Sequence, residues 1–223
     1  MKDKTRIQTS ESLITAAMLA VAGGFMDAYS YIGRGGVFAN AETGNIVLLA
    51  IRLSEGEWLM ALRYLIPIAA FAGGVIIAET ARAHKRQISA MHWRQWALMV
   101  EILVLCLVAF LPQDMNIIAN TLISMVCGIQ VAAFAKFHDN AMATTMCTGN
   151  LRSGTQAFHQ YRHSGDRHDL HRALIYCACI LVFILGAMLG GQMTMHFQEK
   201  AIVFAAMVLA LALVLMFADE QSA

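Results

Sequence analysis

The tripeptide Thr-Gly-Asn occurs twice in this chain of 223 residues: Thr43-Gly44-Asn45 within VFANAETGNIVLLA, and Thr148-Gly149-Asn150 within AMATTMCTGNLRSG. Asn brings amide donors and a carbonyl acceptor, Gly allows a turn and the close approach of another backbone, and Thr can bond back to the chain. A half-helix starting near such a tripeptide aims its first N–H groups forward, where a polar or anionic solute can dock. The bland alternative is a plain turn in which Asn caps a helix, since Gly-Asn turns are common. Two copies at matched places weigh toward the binding reading, because repeat-related helix breaks point to transporter sites.

Two carboxylates lie close by in sequence. Asp27 sits in the second half of an apolar segment, and Glu42 precedes the first tripeptide. A charged carboxylate at membrane depth costs on the order of 3 kcal/mol on insertion scales, so it must be protonated, paired or facing water. Either the two form a proton-coupling or cation-binding pair, or they lie near the outer interface, paired with Arg34 or Arg52. Glu101, in a short apolar segment, poses the same question more weakly. Lys136 reads as a snorkelling side chain. His159, His163, His168 and His171 fall in one basic loop with Asp166 and Asp169, which makes a metal site conceivable. A lipid-facing basic loop is the preferred reading, so no metal or other cofactor is expected. No nucleophile–base motif, phosphate loop or dinucleotide fingerprint is present, which argues against an enzyme.

The elements that position these residues are apolar. The chain is 58% hydrophobic and 14% charged, with mean hydropathy +0.58; a soluble domain sits near roughly 45–50% and 25%. The apolar residues come in long runs, so the chain reads as an integral membrane protein whose first partner is the lipid bilayer. A net charge of +1 with no uniformly basic face gives no sign of nucleic-acid binding. All five cysteines fall inside apolar stretches at spacings that suit neither zinc nor a disulfide framework. No cleavable signal peptide is evident.

Eight segments follow in order: A (12–33), B (37–51, with the first Thr-Gly-Asn), C (58–81), D (96–111), E (117–137), F (141–158, with the second Thr-Gly-Asn), G (173–195) and H (201–217). The order A to D repeats as E to H. An offset of 105 carries the first tripeptide onto the second, Gly23 onto Gly128 and Tyr29 onto Phe134. In the third segment the offset becomes 112, matching Phe71 with Phe183 and Gly74 with Gly186. The predicted domain is a single transmembrane unit over 1–223, with repeat 1 at about 10–112 and repeat 2 at about 115–218.

Segments B and F are too short or too polar for straight spans, which need ~20 mainly apolar residues. If both are broken or re-entrant, six segments cross. With both termini cytoplasmic, twelve of the sixteen Lys and Arg then lie inside; with eight crossings only nine do. The positive-inside rule prefers six. Three crossings per repeat is an odd number, so the repeats are inverted. The expected fold is an all-α polytopic membrane protein of about six transmembrane helices plus two short Thr-Gly-Asn segments.

The stretches GGFMDAYSYI, FANAETGN and CTGN resemble the YoaK family, or DUF1275, of bacterial membrane proteins, and the resemblance covers nearly the whole chain. It rests on Gly23, Gly24, Asp27, Ala28, Ser30, Tyr31 and the paired tripeptides. It implies a bacterial inner-membrane location and, through a broad likeness to the major-facilitator group, a half-sized transporter unit.

The function expected is transport or channelling of a small solute across that membrane, with proton coupling as one form of it. Asp27, Glu42, Thr43, Gly44, Asn45, Thr148, Gly149 and Asn150 would form the site. A six-span half-unit fits a homodimer that encloses the path. The rival classes are a non-transporting scaffold or sensor, and a metal-dependent membrane enzyme built on the histidine loop.

Overall fold

A computed structural model of the chain describes residues 13–85, 93–134, 136–137, 140–141 and 144–220. These residues are almost entirely helical. The α-helices are α1 (Leu13–Gly33), α2 (Glu42–Ser54), α3 (Trp58–Lys85), α4 (Trp93–Val108), α5 (Asn116–Ala133), α6 (Cys147–Ser164), α7 (Arg167–Phe197) and α8 (Ile202–Glu220). A two-residue ladder, β1 (Lys136–Phe137) with β2 (Asn140–Ala141), lies between α5 and α6. The N-terminal tail and the basic loop at 86–92 lie outside the described residues.

Turn chemistry sets the helix ends. Gly56 and Gly165 both adopt positive φ, 75° and 70°, just past the ends of α2 and α6. A left-handed residue there closes a helix, and glycine takes that conformation without a Cβ penalty. Asp166 then caps α7, its carboxylate accepting from His168 N–H at 2.8 Å. Pro112 stands just beyond α4, where it cannot extend the helix.

Four stretches are long and apolar enough to cross a bilayer: Leu13–Gly33, Trp58–Ala83, Gln113–Ala133 and Arg167–Ala218. The last holds α7 and α8 in succession across a short 3₁₀ turn. α4 has 16 residues, fewer than the ~20 of a straight span. The bundle wears its large apolar side chains outside, with Leu59, Phe110, Leu181 and Leu211 all exposed. A soluble fold would hide such a surface; a lipid-facing one requires it. The fold is that of an all-helical membrane protein.

α1 packs along α7 and α8, while α5 packs along α3 and α4; α2 lies on α3, α6 lies on α7, and α4 meets α8. Two crossings are close enough to exclude any side chain. A Cβ at Gly24 would strike the Phe183 carbonyl oxygen, and one at Gly186 the Val21 carbonyl oxygen. In the other crossing a Cβ at Gly128 would strike the Phe71 carbonyl oxygen, and one at Gly74 that of Met125. Small residues at such crossings let backbones touch, a main source of helix association in lipid. The sequence alignment sets Gly23 against Gly128. By contact the counterpart of Gly128 is Gly24, because each meets the carbonyl of a phenylalanine on the helix it crosses.

Candidate functional site

α2 and α6 each begin one residue before their Thr-Gly-Asn, at Glu42 and Cys147. The tripeptides are therefore first-turn residues, and neither helix has a side-chain cap. The segment before α2 is tied down from two sides. The Asp27 carboxylate accepts from Asn40 N–H at 2.6 Å and Ala41 N–H at 3.3 Å. Asn45 is fully buried; its Oδ1 accepts from Phe38 N–H and its Nδ2 donates to Phe38 C=O, both at 2.8 Å, and to Glu42 Oε2 at 3.1 Å. Gly44 lies against the Phe38 ring, where a Cβ would not fit.

Gly23, at the midpoint of α1, is where the two helix tips meet. From the α2 side, Asn40 Nδ2 approaches the Gly23 carbonyl at 3.5 Å. From the α6 side, the Thr145 methyl fills the space a Cβ on Gly23 would need. Asn40 and Thr145 are 105 residues apart, the same offset as the two tripeptides. The α6 tip is also tied to α7: Asn150 Nδ2 lies 3.5 Å from Cys179 Sγ, and that thiol faces Thr144 C=O at 3.9 Å.

Of the residues singled out in the sequence, Asp27, Asn45 and Asn150 are buried and Glu42 is half-buried near Asp27. Thr43, Thr148 and Gly149 are exposed on the outward side of their helices, and nothing would meet a Cβ at Gly149. The arrangement thus brings the two asparagines and the two carboxylates inward and leaves the threonines outside. Asp27 and Glu42 are bonded to neither arginine suggested by their sequence positions. Arg52 bonds Glu55 and Glu57 at 2.9 Å on the surface.

Arg34 is fully buried and held by oxygens. Its Nε donates to Tyr29 OH at 2.8 Å, its Nη2 to Val108 C=O at 2.9 Å, and its Nη1 to Leu111 C=O at 2.8 Å, Pro112 C=O at 3.3 Å and Asn116 Oδ1 at 3.2 Å. Three of these acceptors are backbone carbonyls: Val108, the last residue of α4, and Leu111 and Pro112 in the turn that follows it. Tyr29 passes the chain on, donating to Glu199 C=O at 2.9 Å. Arg34, Arg63, Asn116 and Asn120 border a cleft of about 170 Å³ at this end of the bundle.

Further polar groups inside the bundle are heavier than their sequence signal. Glu101 is 1% exposed, with no hydrogen-bond partner for either carboxyl oxygen. Ser124 and Gln130 on α5 are as deeply buried and also unpartnered, as is Oδ1 of Asn120. The signal that could have found them is a stripe on α5: Asn116, Asn120, Ser124, Cys127 and Gln130 recur at spacings of four and three, one helix face in an otherwise apolar segment. His159 and His163 pack ring to ring on α6 with centroids 4.8 Å apart, while His168 and His171 start α7. Among the described residues no three His, Cys, Asp or Glu are grouped to hold a metal ion. The side chain of Lys136 lies outside the described residues.

The chain is 29% identical over 185 residues to the UPF0700 transmembrane protein YoaK of Bacillus subtilis (strain 168), covering 76% of this chain and 81% of that protein. No solved structure matches it. The family model described as "Protein of unknown function (DUF1275)" matches residues 15–215. That span runs from the first turn of α1 to the last turns of α8 and includes both helix tips, Gly23 and the arginine cage, and the chain accordingly belongs to the DUF1275 family.

Proposed function

We propose that this protein is a transporter or channel for a small polar solute in the bacterial inner membrane, and not an enzyme. One observation carries the reading: two helix tips of matching sequence, at Asn40 and Thr145, converge on Gly23 at the middle of α1. Helix N-termini meeting inside a bundle place N–H dipoles around a common point, as in transporters with broken helices. Asp27, which accepts from Asn40 N–H, and Glu42 beside it supply charge near that point, and Asn45 and Asn150 sit in the first turns of the two helices.

The same reading takes the chain as one transmembrane domain of two inverted repeats, with six crossings and both termini cytoplasmic. Its support is the packing. Exchanging α1–α4 with α5–α8 maps each principal helix contact onto another or onto itself: α1 on α7 becomes α5 on α3, α2 on α3 becomes α6 on α7, and α4 on α8 is unchanged. A second copy of the chain would complete the wall of the path.

Uptake of labelled amino acids, sugars and organic anions by cells with and without the overproduced protein tests the function. Asn45→Ala and Asn150→Ala are each expected to abolish the uptake that wild type adds. Unchanged flux in both variants rejects the reading. A wild type that moves none of these solutes, with variants that lose a bound partner, favours a scaffold or sensor. Orientation is read with single cysteines at Ser54 and Ser89 in a cysteine-free background: an impermeant thiol reagent added outside should label Ser54→Cys and spare Ser89→Cys.

A further inference from the structure

We propose that Glu101 is a proton-binding carboxyl, and that its proton exchanges with water in the Arg34 cleft along the polar face of α5. The claim that this proton drives solute movement rests on the transport reading; the proton site itself does not.

Glu101 lies midway along α4, about 10–12 Å of helix from either end. It shares the buried face of that helix with Leu98, Leu105 and Val108. Both of its oxygens lack a partner. An isolated charge in such a place is costly. A leucine would fill the space without that cost, so packing does not account for a carboxyl here. A metal ion would require several oxygen ligands around it, whereas a proton requires only one oxygen, and the flanking side chains on α4 are apolar.

The titratable groups on the helices around Glu101 are few. α5, which packs on α4, carries Cys127, whose thiol lies within electrostatic reach of Glu101, Asp27 and Glu42. Asp27 belongs to α1 and Glu42 to α2. From Ile202 to Ala218, α8 carries no titratable side chain. On α3, Tyr64 is buried, Glu79 and Arg82 pair with each other at the surface at 2.6 Å, and Arg63 borders the cleft.

The route is written on α5. Asn116 and Asn120 border the cleft, and Ser124 and Cys127 continue the same face inward. Successive positions are separated by about 4.5–6 Å of helix, a gap that one bridging water spans. Oδ1 of Asn120, Oγ of Ser124 and both amide atoms of Gln130 are buried without a protein partner, so they stand ready to bond such waters. Asn120 Nδ2 is anchored to Arg34 C=O at 2.8 Å, which fixes the start of the row beside the cleft.

Infrared spectroscopy of the purified full-length protein in lipid nanodiscs tests this without knowing any solute. Wild type should show a protonated carboxyl C=O band that disappears in Glu101→Gln and shifts in Glu101→Asp; the second variant guards against a band lost through misfolding. Transfer to D₂O should downshift that band, and Ser124→Val should slow the downshift severalfold. The proposal is overturned if Glu101→Gln leaves every carboxyl band in place, if Ser124→Val exchanges at the wild-type rate, or if sodium ions at fixed pH abolish the band, which would assign the site to a metal cation. A protein with the band but without solute flux keeps the proton site and rejects the transport reading. Flux that persists without the band does the reverse.

Discussion

Asn45 grips Phe38 by both backbone groups, accepting its N–H and donating to its C=O at 2.8 Å each. One side chain thus imitates a strand partner and holds the segment before α2 against the start of that helix. The Phe38 ring in turn stacks on Tyr31 of α1 at 4.6 Å. Asn45→Asp keeps the shape but loses the donor, and sets a second carboxylate beside Glu42. We expect destabilisation of about 2 kcal/mol, the cost of an unsatisfied buried group. Thermal unfolding in detergent reads this as a lower apparent Tm. Asn45→Ala should fall as far, and an unchanged Tm would show that the loop holds itself.

Asp27 separates architecture from charge. Asn40 and Ala41 both bond its Oδ1. Asp27→Asn retains an oxygen at that place, so the loop should survive with a stability change of about 1 kcal/mol or less. Solute flux should nevertheless be lost, because the negative charge at the junction of the helix tips is gone. Full flux with normal folding would show that Asp27 serves only as a brace.

The glycine crossings predict a sharp contrast between neighbouring positions. Gly24→Val and Gly128→Val drive side chains into backbone carbonyls of α7 and α3. Backbone cannot yield as a side chain can, so each should cost at least the ~1–3 kcal/mol of ordinary overpacking. Gly73→Ala, with nothing within 4 Å of the new methyl, should be neutral or stabilising by about 0.5–1 kcal/mol through helix propensity. Yield of folded protein and apparent Tm distinguish the two classes.

Arg34 tests the carbonyl cage. Arg34→Met fills part of the volume but strands the carbonyls of Val108 and Leu111 and the Tyr29 hydroxyl. Loss of a buried charged donor with several acceptors should cost on the order of 3 kcal/mol. Arg34→Lys should rescue only part of it, since an ammonium cannot reach the spread of acceptors that a guanidinium fork does. Apparent Tm again decides.

The long apolar segments and the paired tripeptides were legible because their signals are local: hydropathy for the helices, identity for the repeat. Helix starts were less so. Segments B and F were drawn from residues 37 and 141, whereas α2 and α6 start at Glu42 and Cys147, because the chain bends at 39–40 and turns at 144–145 before each helix begins. Nothing in the sequence told Thr43, which is exposed, from Asn45, which is buried, as both are small and polar. Arg34 looked like an interface charge. Its backbone partners are the carbonyls of Val108 and of the turn after α4, more than seventy residues away, and backbone acceptors leave no mark in a sequence. Glu101 drew little weight because its significance lies in what surrounds it.

The packing of α1 against α7 also has a consequence in time. The partner of α1 begins about 150 residues later in the chain. At roughly 5–20 residues per second, that is on the order of 10–30 s of synthesis. Throughout that interval α1, with Asp27 on it, is in the membrane without its main neighbour, and α3 waits likewise for α5. Neither half can finish folding until the last helices arrive, so the protein stands or falls as one unit at the ribosome. Two separately made halves should be unstable alone and recover each other only when made together.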